Sequence, residues 1–471
     1  MASDDRIAQV DAFIEAHAQE FLDDLKQLCA FPSVSAQGVA MVETARFTRD
    51  LLEKHGIQAR LIPTERYPIV YGELTGTSPA TILCYNHYDV QPAEPFELWD
   101  SLPFEATQRD GKLFARGASD DKGHIICRLA AVRALTAVYG EVPCSLKFLI
   151  EGEEEIGSAY LPEFIEQHTD LLRADACLWE FGGVDYEGRP LTYLGMRGNM
   201  YIELRAKRLS RDAHSGLGGS IFPNAAWRII WALSTFKTPD ERILIPGWYD
   251  DVREPSEYDL ELLAGLPSDD ERLKQSFGLD GFLGGVSDAD LRRRHVFEPT
   301  CTVAGLTSGY QGPGSKTVLP AEATAKVDFR IVPDQDPDDL IAKLEAYLID
   351  QGFDDIEVIR HGDYRAARVD PNDPFIALVA ETGEEVYGKP EAIYPMSGGS
   401  GPIEPFVRVL HLPVANVGVS YPDSWAHSPN EHIRIDDFIN GIKHTARVFA
   451  RMAERGLATP AGSEAQATRG L

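Results

Sequence analysis

Five stretches of the chain place His and acidic residues in unusual company: His87-Tyr88-Asp89, Asp120-Asp121-Lys122-Gly123, Glu151-Gly152-Glu153-Glu154-Glu155, Glu180 and Ala426-His427-Ser428. In extended chain His87 and Asp89 point the same way. His87 could then ligate a metal through one ring nitrogen while Asp89 holds the other and fixes the tautomer. A carboxylate of the Asp120-Asp121 pair could bridge two cations, because both of its oxygens can bind; the plainer reading is an N-cap for the helix that follows. Four carboxylates in Glu151–Glu155 at the end of an apolar run should raise one another's pKa unless cations are present. One of Glu154 and Glu155 could ligate, and its neighbour could take a proton from water. Glu180 and His427, each taken alone, are an ordinary strand-end acid and an ordinary loop His. The conjunction carries the weight: nitrogen and oxygen donors without Cys suit Zn²⁺, Mn²⁺ or Co²⁺. A shared carboxylate suits two ions roughly 3.5–4 Å apart, the spacing of two-metal hydrolysis.

These residues need elements to deliver them. Apolar positions at helical spacing predict one N-terminal helix from about Ile7 to Leu28. Strands are expected at 57–62, 69–74, 80–85, 145–150 and 176–179, with helices at 122–138 and 161–168. Alternating strands and helices argue for an α/β fold with a mostly parallel sheet, whose C-terminal edge is a ligand-binding edge. After Gly195 the order becomes strand 200–206, helix 224–236, strand 302–306, strand 323–332, helix 337–349 and strand 356–361, a ferredoxin-like β-α-β-β-α-β unit. Asp336-Pro337 should start its second helix, Asp as cap and Pro in the first turn. The charged stretch 240–295 reads as an irregular insertion. The α/β pattern resumes with a helix at 375–387, a strand at 414–417 and a last helix at 435–452. The first domain is therefore expected to be discontinuous, 1–196 and 371–458, with the second, 197–370, inserted into it and a disordered tail at 459–471.

Composition bounds the answer. A chain of 471 residues exceeds one ordinary core. A net charge of −29 disfavours nucleic acid and anionic membranes, which need clustered Lys and Arg. The six Cys show no CxxC spacing and mostly sit in apolar runs, the pattern of reduced core thiols in a cytoplasmic protein. The first residues lack a basic head and an apolar segment, and no run of about 18 apolar residues exists, so neither a secretory signal nor a membrane span is expected.

On these residues the chain resembles the dinuclear metallopeptidase family that includes carnosinase-type dipeptidases, carboxypeptidase G and aminoacylase, and within it the cytosolic non-specific dipeptidase branch. The likeness runs over nearly the whole chain. It implies His87 as ligand with Asp89 behind it, Asp120 as the bridging carboxylate, Glu154 as general base, and Glu155, Glu180 and His427 as further ligands. One ion would then take His87, Asp120 and Glu180, and the other Asp120, Glu155 and His427. The branch more often carries Asp where this chain has Glu180.

Three more segments fit the resemblance. Asp212-Ala213-His214-Ser215-Gly216 is similar to the lid segment whose His stabilises the oxyanion, usually in the neighbouring subunit's site, which implies a homodimer. Lys316-Thr317-Val318 with Phe329-Arg330-Ile331 is similar to the segment whose Arg grips a substrate carboxylate, so Arg330 and Thr317 are expected at substrate. Ser397-Gly398-Gly399-Ser400 is similar to the Gly-rich turn beside substrate, bringing in Ser400, although Met396-Ser397 stands where the family often has Arg-Glu. The inserted domain would be the lid and dimerisation domain. The expected activity is metal-dependent hydrolysis of dipeptides or very short peptides. An N-acyl-amino-acid amidohydrolase using the same residues is the alternative, and a non-catalytic peptide- or metal-binding homologue is a third reading.

Overall fold

The structure is a computed structural model that describes residues 2–455. It separates into two compact units. The first holds residues up to Leu194, Val369–Tyr394 and the chain from Pro405; the second holds Gly195–Arg368 and Pro395–Glu404. Residues 395–404, expected with the first domain, thus belong to the second unit. The tail expected at 459–471 lies outside the described residues.

The first unit is built on a six-stranded sheet in the order Gln58–Ile62, Ile69–Leu74, Cys144–Glu151, Ser78–His87, Ala176–Trp179, Val414–Asn416. The last four strands run parallel, and the first two add antiparallel pairs at one edge. Parallel strands covered on both faces read as continuous apolar runs, and Ile82, Leu83, Cys84 and Tyr85 are indeed fully buried. The covering helix Lys122–Tyr139 packs on the C-terminal helix Ile435–Arg455 and on the N-terminal helices. Its residues Lys122 to Val132 are all buried, which is why it lacks an amphipathic pattern.

The single N-terminal helix expected from the apolar spacing is two helices, Ala2–Ala16 and Ala18–Cys29. The break falls at His17, whose φ of −111° and ψ of 11° leave helical geometry. Its ring stacks on Phe13 and its Nδ1 bonds the Phe13 carbonyl at 2.8 Å.

The second unit has a four-stranded antiparallel sheet in the order Thr300–Ser308, Glu322–Ile331, Gly198–Lys207, Ile356–Tyr364. With helices Ala225–Phe236 and Pro337–Asp350, this is the ferredoxin-like unit expected from the sequence. Met200, Ile202 and Leu204 alternate inward against Ile229, Phe236, Leu340 and Leu344. Asp336 caps its helix, accepting from Asp338 N at 2.8 Å, with Pro337 in the first turn. The stretch 240–295, expected to be irregular, instead carries helices Glu257–Gly265, Asp270–Phe277 and Asp288–Phe297. A Ser256/Asp259 capping box starts the first, and Gly278 closes the second at φ 64°. Their high charge hides them from a search for apolar periodicity.

Candidate active site

All seven residues that the sequence singles out in the first unit converge. His87 ends its strand with its side chain only 1% exposed. Its Nδ1 faces Asp89, 3.1 Å from the backbone oxygen and 3.3 Å from Oδ1. Its Nε2 lies 3.0 Å from Asp120 Oδ1 and 3.7 Å from Glu180 Oε2. The other oxygen of Asp120, Oδ2, lies 2.9 Å from His427 Nε2, which in turn is 3.2 Å from Glu155 Oε2. Asp120 therefore spans two His rings with one oxygen on each. Two trios of metal-type donors result, His87/Asp121/Glu180 and Asp120/Glu155/His427, each with its ligand atoms within 4.8 Å of one another.

Asp121 appears in the first trio beside the expected Asp120, and its surroundings distinguish the two. Asp121 occupies the N-cap position of helix Lys122–Tyr139 but makes no side-chain cap bond. Its Oδ2 accepts from Asn86 Nδ2 at 2.7 Å and from His87 N at 3.1 Å, and His124 Nδ1 is 2.9 Å from Oδ1. Its Oδ2 is engaged by Asn86 and the His87 backbone, and it braces the end of the His87 strand.

The acidic run is sorted by strand geometry. Glu151 accepts from Tyr85 and Ser158 hydroxyls at 2.6 and 2.9 Å, and burial pushes it up to about 7. Glu153 faces Arg66 at 3.9 Å. Glu154 and Glu155 remain for the cluster, in a short turn opened by Gly152. A Cβ on Gly152 would come within 2.3 Å of the Tyr88 ring. Glu155 is held by its N–H on Asp89 Oδ2 at 3.1 Å and by Gln91 Nε2 at 2.8 Å.

Electrostatics follow from so many acids out of water. Burial above all, with the neighbouring carboxylates adding to it and the His87 charge opposing it, pushes Glu154 and Glu180 well above the usual range. His427 is raised to about 10 by its hydrogen bonds to Asp120 and Glu155. Burial opposes charge on His87, yet hydrogen bonds to Asp120 and Asp89 still raise it well above an ordinary His. Glu180 Oε2 is buried with no hydrogen-bond partner. Such an orphaned acceptor among excess carboxylates is what a cation would satisfy.

Two supports were not singled out from the sequence. Buried Glu431 accepts from the backbone N–H groups of Gly117, Ser119 and Asp120 at 3.0, 2.9 and 3.0 Å, and from Arg116 Nη1 at 2.7 Å. It fixes the loop that carries Asp120. Buried Lys122 donates to the Phe31 carbonyl at 2.7 Å. The only signal for Glu431 was an acid four residues past His427 in a chain that also holds Arg116 before Asp120.

In the second unit the expected residues form two pairs. His214 is exposed on the two-residue strand Ala213–His214, its Nδ1 accepting from Gly216 N at 3.0 Å and its Nε2 3.4 Å from Thr317 Oγ1. Arg330, half-buried near the end of its strand, donates from Nη1 to Ser400 Oγ at 2.8 Å and from Nε to Asp328 at 3.3 Å. The Gly-rich turn is also held by Arg197, whose Nε and Nη2 donate to Gly398 O at 3.2 and 3.0 Å.

Fold and cluster together define a metallopeptidase. The chain belongs to peptidase family M20/M25/M40, which it matches over residues 83–451. It is 28% identical to a human Beta-Ala-His dipeptidase, over 95% of this chain and 93% of that protein. It is 30% identical to a Cys-Gly metallodipeptidase of Candida albicans, over 91% and 94%. Among solved structures, an M20 family metallo-carboxypeptidase from Sulfolobus solfataricus superposes with a TM-score of 0.88 at 37% identity, covering 92% of this chain and 99% of that one.

Proposed function

We propose that this protein hydrolyses the peptide bond of dipeptides and very short peptides that end in a free carboxylate, with two divalent cations. The observation that carries the reading is Asp120, whose two oxygens face His87 and His427. The donors fit two ions: His87, Asp120 and Glu180 for one, Asp120, Glu155 and His427 for the other. Zinc suits this nitrogen and oxygen set best, and manganese or cobalt is compatible with it. When bound, the ions would act as Lewis acids toward the scissile carbonyl and the attacking water.

The chain's own groups do the rest. Glu154 takes the proton of the attacking water and returns it to the leaving amine. Asp89 holds the His87 ring by its far nitrogen. His214 donates to the developing oxyanion. Arg330, with Ser400 and Thr317 as further substrate contacts, grips the terminal carboxylate as a fork.

A homodimer in which His214 serves the neighbouring subunit's site belongs to the same reading. It is supported by an apolar face left exposed on the second unit, with Trp227, Ile230 and Trp231 on one helix and Val303 and Leu306 on the edge strand. A cytoplasmic setting is supported by six buried thiols, none of them paired.

The named relatives support dipeptides over N-acyl amino acids. The 37% identity to a metallo-carboxypeptidase favours, as a second reading, removal of the last residue from longer or N-blocked peptides. Turnover by the zinc- or manganese-loaded protein on free dipeptides, N-acetylated dipeptides, longer peptides and N-acyl amino acids tests both. Cleavage confined to free dipeptides is the expected result. Cleavage of blocked or longer peptides at the last residue would establish the carboxypeptidase reading. Turnover of N-acyl amino acids alone, or silence across the panel, would overturn both.

A further inference from the structure

The second unit contains a cavity of about 710 Å³, in the size range of small-molecule sites. It lies where helix Asp288–Phe297 and the segments 240–254 and 279–286 close over the ferredoxin-like core. Its apolar lining comes from Tyr249, Phe282, Leu283, Val286, Leu291 and Phe297. Two groups capable of holding an anion sit together in it. Arg197 is only 6% exposed, and while its Nε and Nη2 serve the Gly398 carbonyl, its Nη1 is buried with no hydrogen-bond partner. His295 stands beside it, so close to the same turn that a Cβ on Gly398 would come within 2.4 Å of its Nε2. Arg330 is not among the lining residues.

An unpaired, buried guanidinium N–H is costly, and an incoming acceptor would relieve that cost. Burial and the nearby charge of Arg330 lower the Arg197 pKa to about 10, so an anion beside it has a cationic field to enter. The acids in the lining are largely committed. Glu298 pairs with Arg293 at 2.8 Å, Glu241 pairs with Lys237 at 2.5 Å, and the Asp240 carboxyl is held by Thr238. Arg242 lies over the Tyr249 ring at 4.8 Å.

We propose that this cavity binds a small organic carboxylate with an aromatic or branched apolar body, the carboxylate on Arg197 Nη1 and the body against Phe282 and Leu291. The site is independent of the peptidase reading, since neither its residues nor its test use the metal cluster.

Calorimetric titration of the full-length protein with 3-phenylpropionate, phenylalanine and the neutral 3-phenylpropionamide tests it. The two carboxylates are expected to bind with Kd at or below about 1 mM, and the amide at least about tenfold more weakly. The better carboxylate identifies the source: phenylalanine points to free amino acids, 3-phenylpropionate to acids without an ammonium group. Val286→Trp, which fills the cavity without touching Arg197, should weaken binding about tenfold or more, as should Arg197→Lys, which keeps the charge and loses the fork. Arg330→Ala should leave it within about twofold. Because Arg197 also braces Gly398, thermal melts accompany each variant, and if Arg197→Lys does not fold the Val286→Trp result decides. Equal affinity for the amide, binding unchanged in Val286→Trp, binding lost in Arg330→Ala, or no heat from any ligand would overturn the proposal.

Discussion

The metal-type cluster of the first unit and the His214–Thr317 pair of the second are built in opposite ways. His87 and Asp89 are essentially out of water, and the loop carrying Asp120 is held by three backbone hydrogen bonds to one buried carboxylate. His214 and Thr317 are exposed and meet at 3.4 Å, on strands only two residues long or beside them. A centre that must hold several acids together needs rigid geometry before any ligand arrives. A group that acts only while substrate is present can stay solvated and acquire its partners then.

That contrast can be broken by mutation. The largest effect is expected for Glu154→Gln: kcat should fall by about 1,000-fold, the scale of lost general-base catalysis, while metal content by elemental analysis stays at the wild-type value. Normal turnover in this variant would remove Glu154 from the base role. His214→Ala should lower kcat by about 100-fold, as for loss of an oxyanion donor, with little change in melting temperature because the ring and its bonds to the Gly216 N–H and Thr317 are exposed to water. A substantial drop in melting temperature would mean that the second unit is as preorganised as the first.

Glu431→Ala sharpens the comparison from the other side. It touches no substrate, yet it should weaken metal affinity by about 10-fold or more and lower the melting temperature, because Arg116 and three loop N–H groups lose their acceptor in the interior. Titration with a competing chelator measures the first effect and calorimetry the second. Wild-type values for both would show that the loop is held without it.

The smallest effect concerns stability rather than activity. Both carboxylate oxygens of Glu391 are buried without partners, and burial raises its pKa to about 8. Below the ordinary carboxylate range the group is protonated in folded and unfolded chains alike and costs nothing. As pH rises toward 8 the unfolded chain releases this proton and the folded chain keeps it, so stability is lost across that window. Glu391→Gln should therefore match wild type near pH 4 and exceed it increasingly as pH rises to 8 in denaturant titrations. A gap that does not change with pH would show that the carboxyl is not buried as described.

Much of this architecture is written in local pattern. The strands Cys144–Glu151 and Ala176–Trp179 are short apolar runs with acids at their ends, and the order of strands and helices after Gly195 already specifies a ferredoxin-like unit. The residue types of the cluster were legible for the same reason, since His and acid at the ends of buried strands stand out against apolar neighbours. Tertiary structure alone decided which carboxylate of Asp120-Asp121 spans two His rings, because that depends on His427, over 300 residues away, and on Asn86 and the His87 backbone engaging Asp121. It also decided that Glu151 is taken by Tyr85 and Ser158 and Glu153 faces Arg66, and that Glu431 fixes a loop more than 300 residues before it. Periodicity records which face of an element is buried; it does not record which distant side chain will meet that face, and a buried charge is placed by its partners.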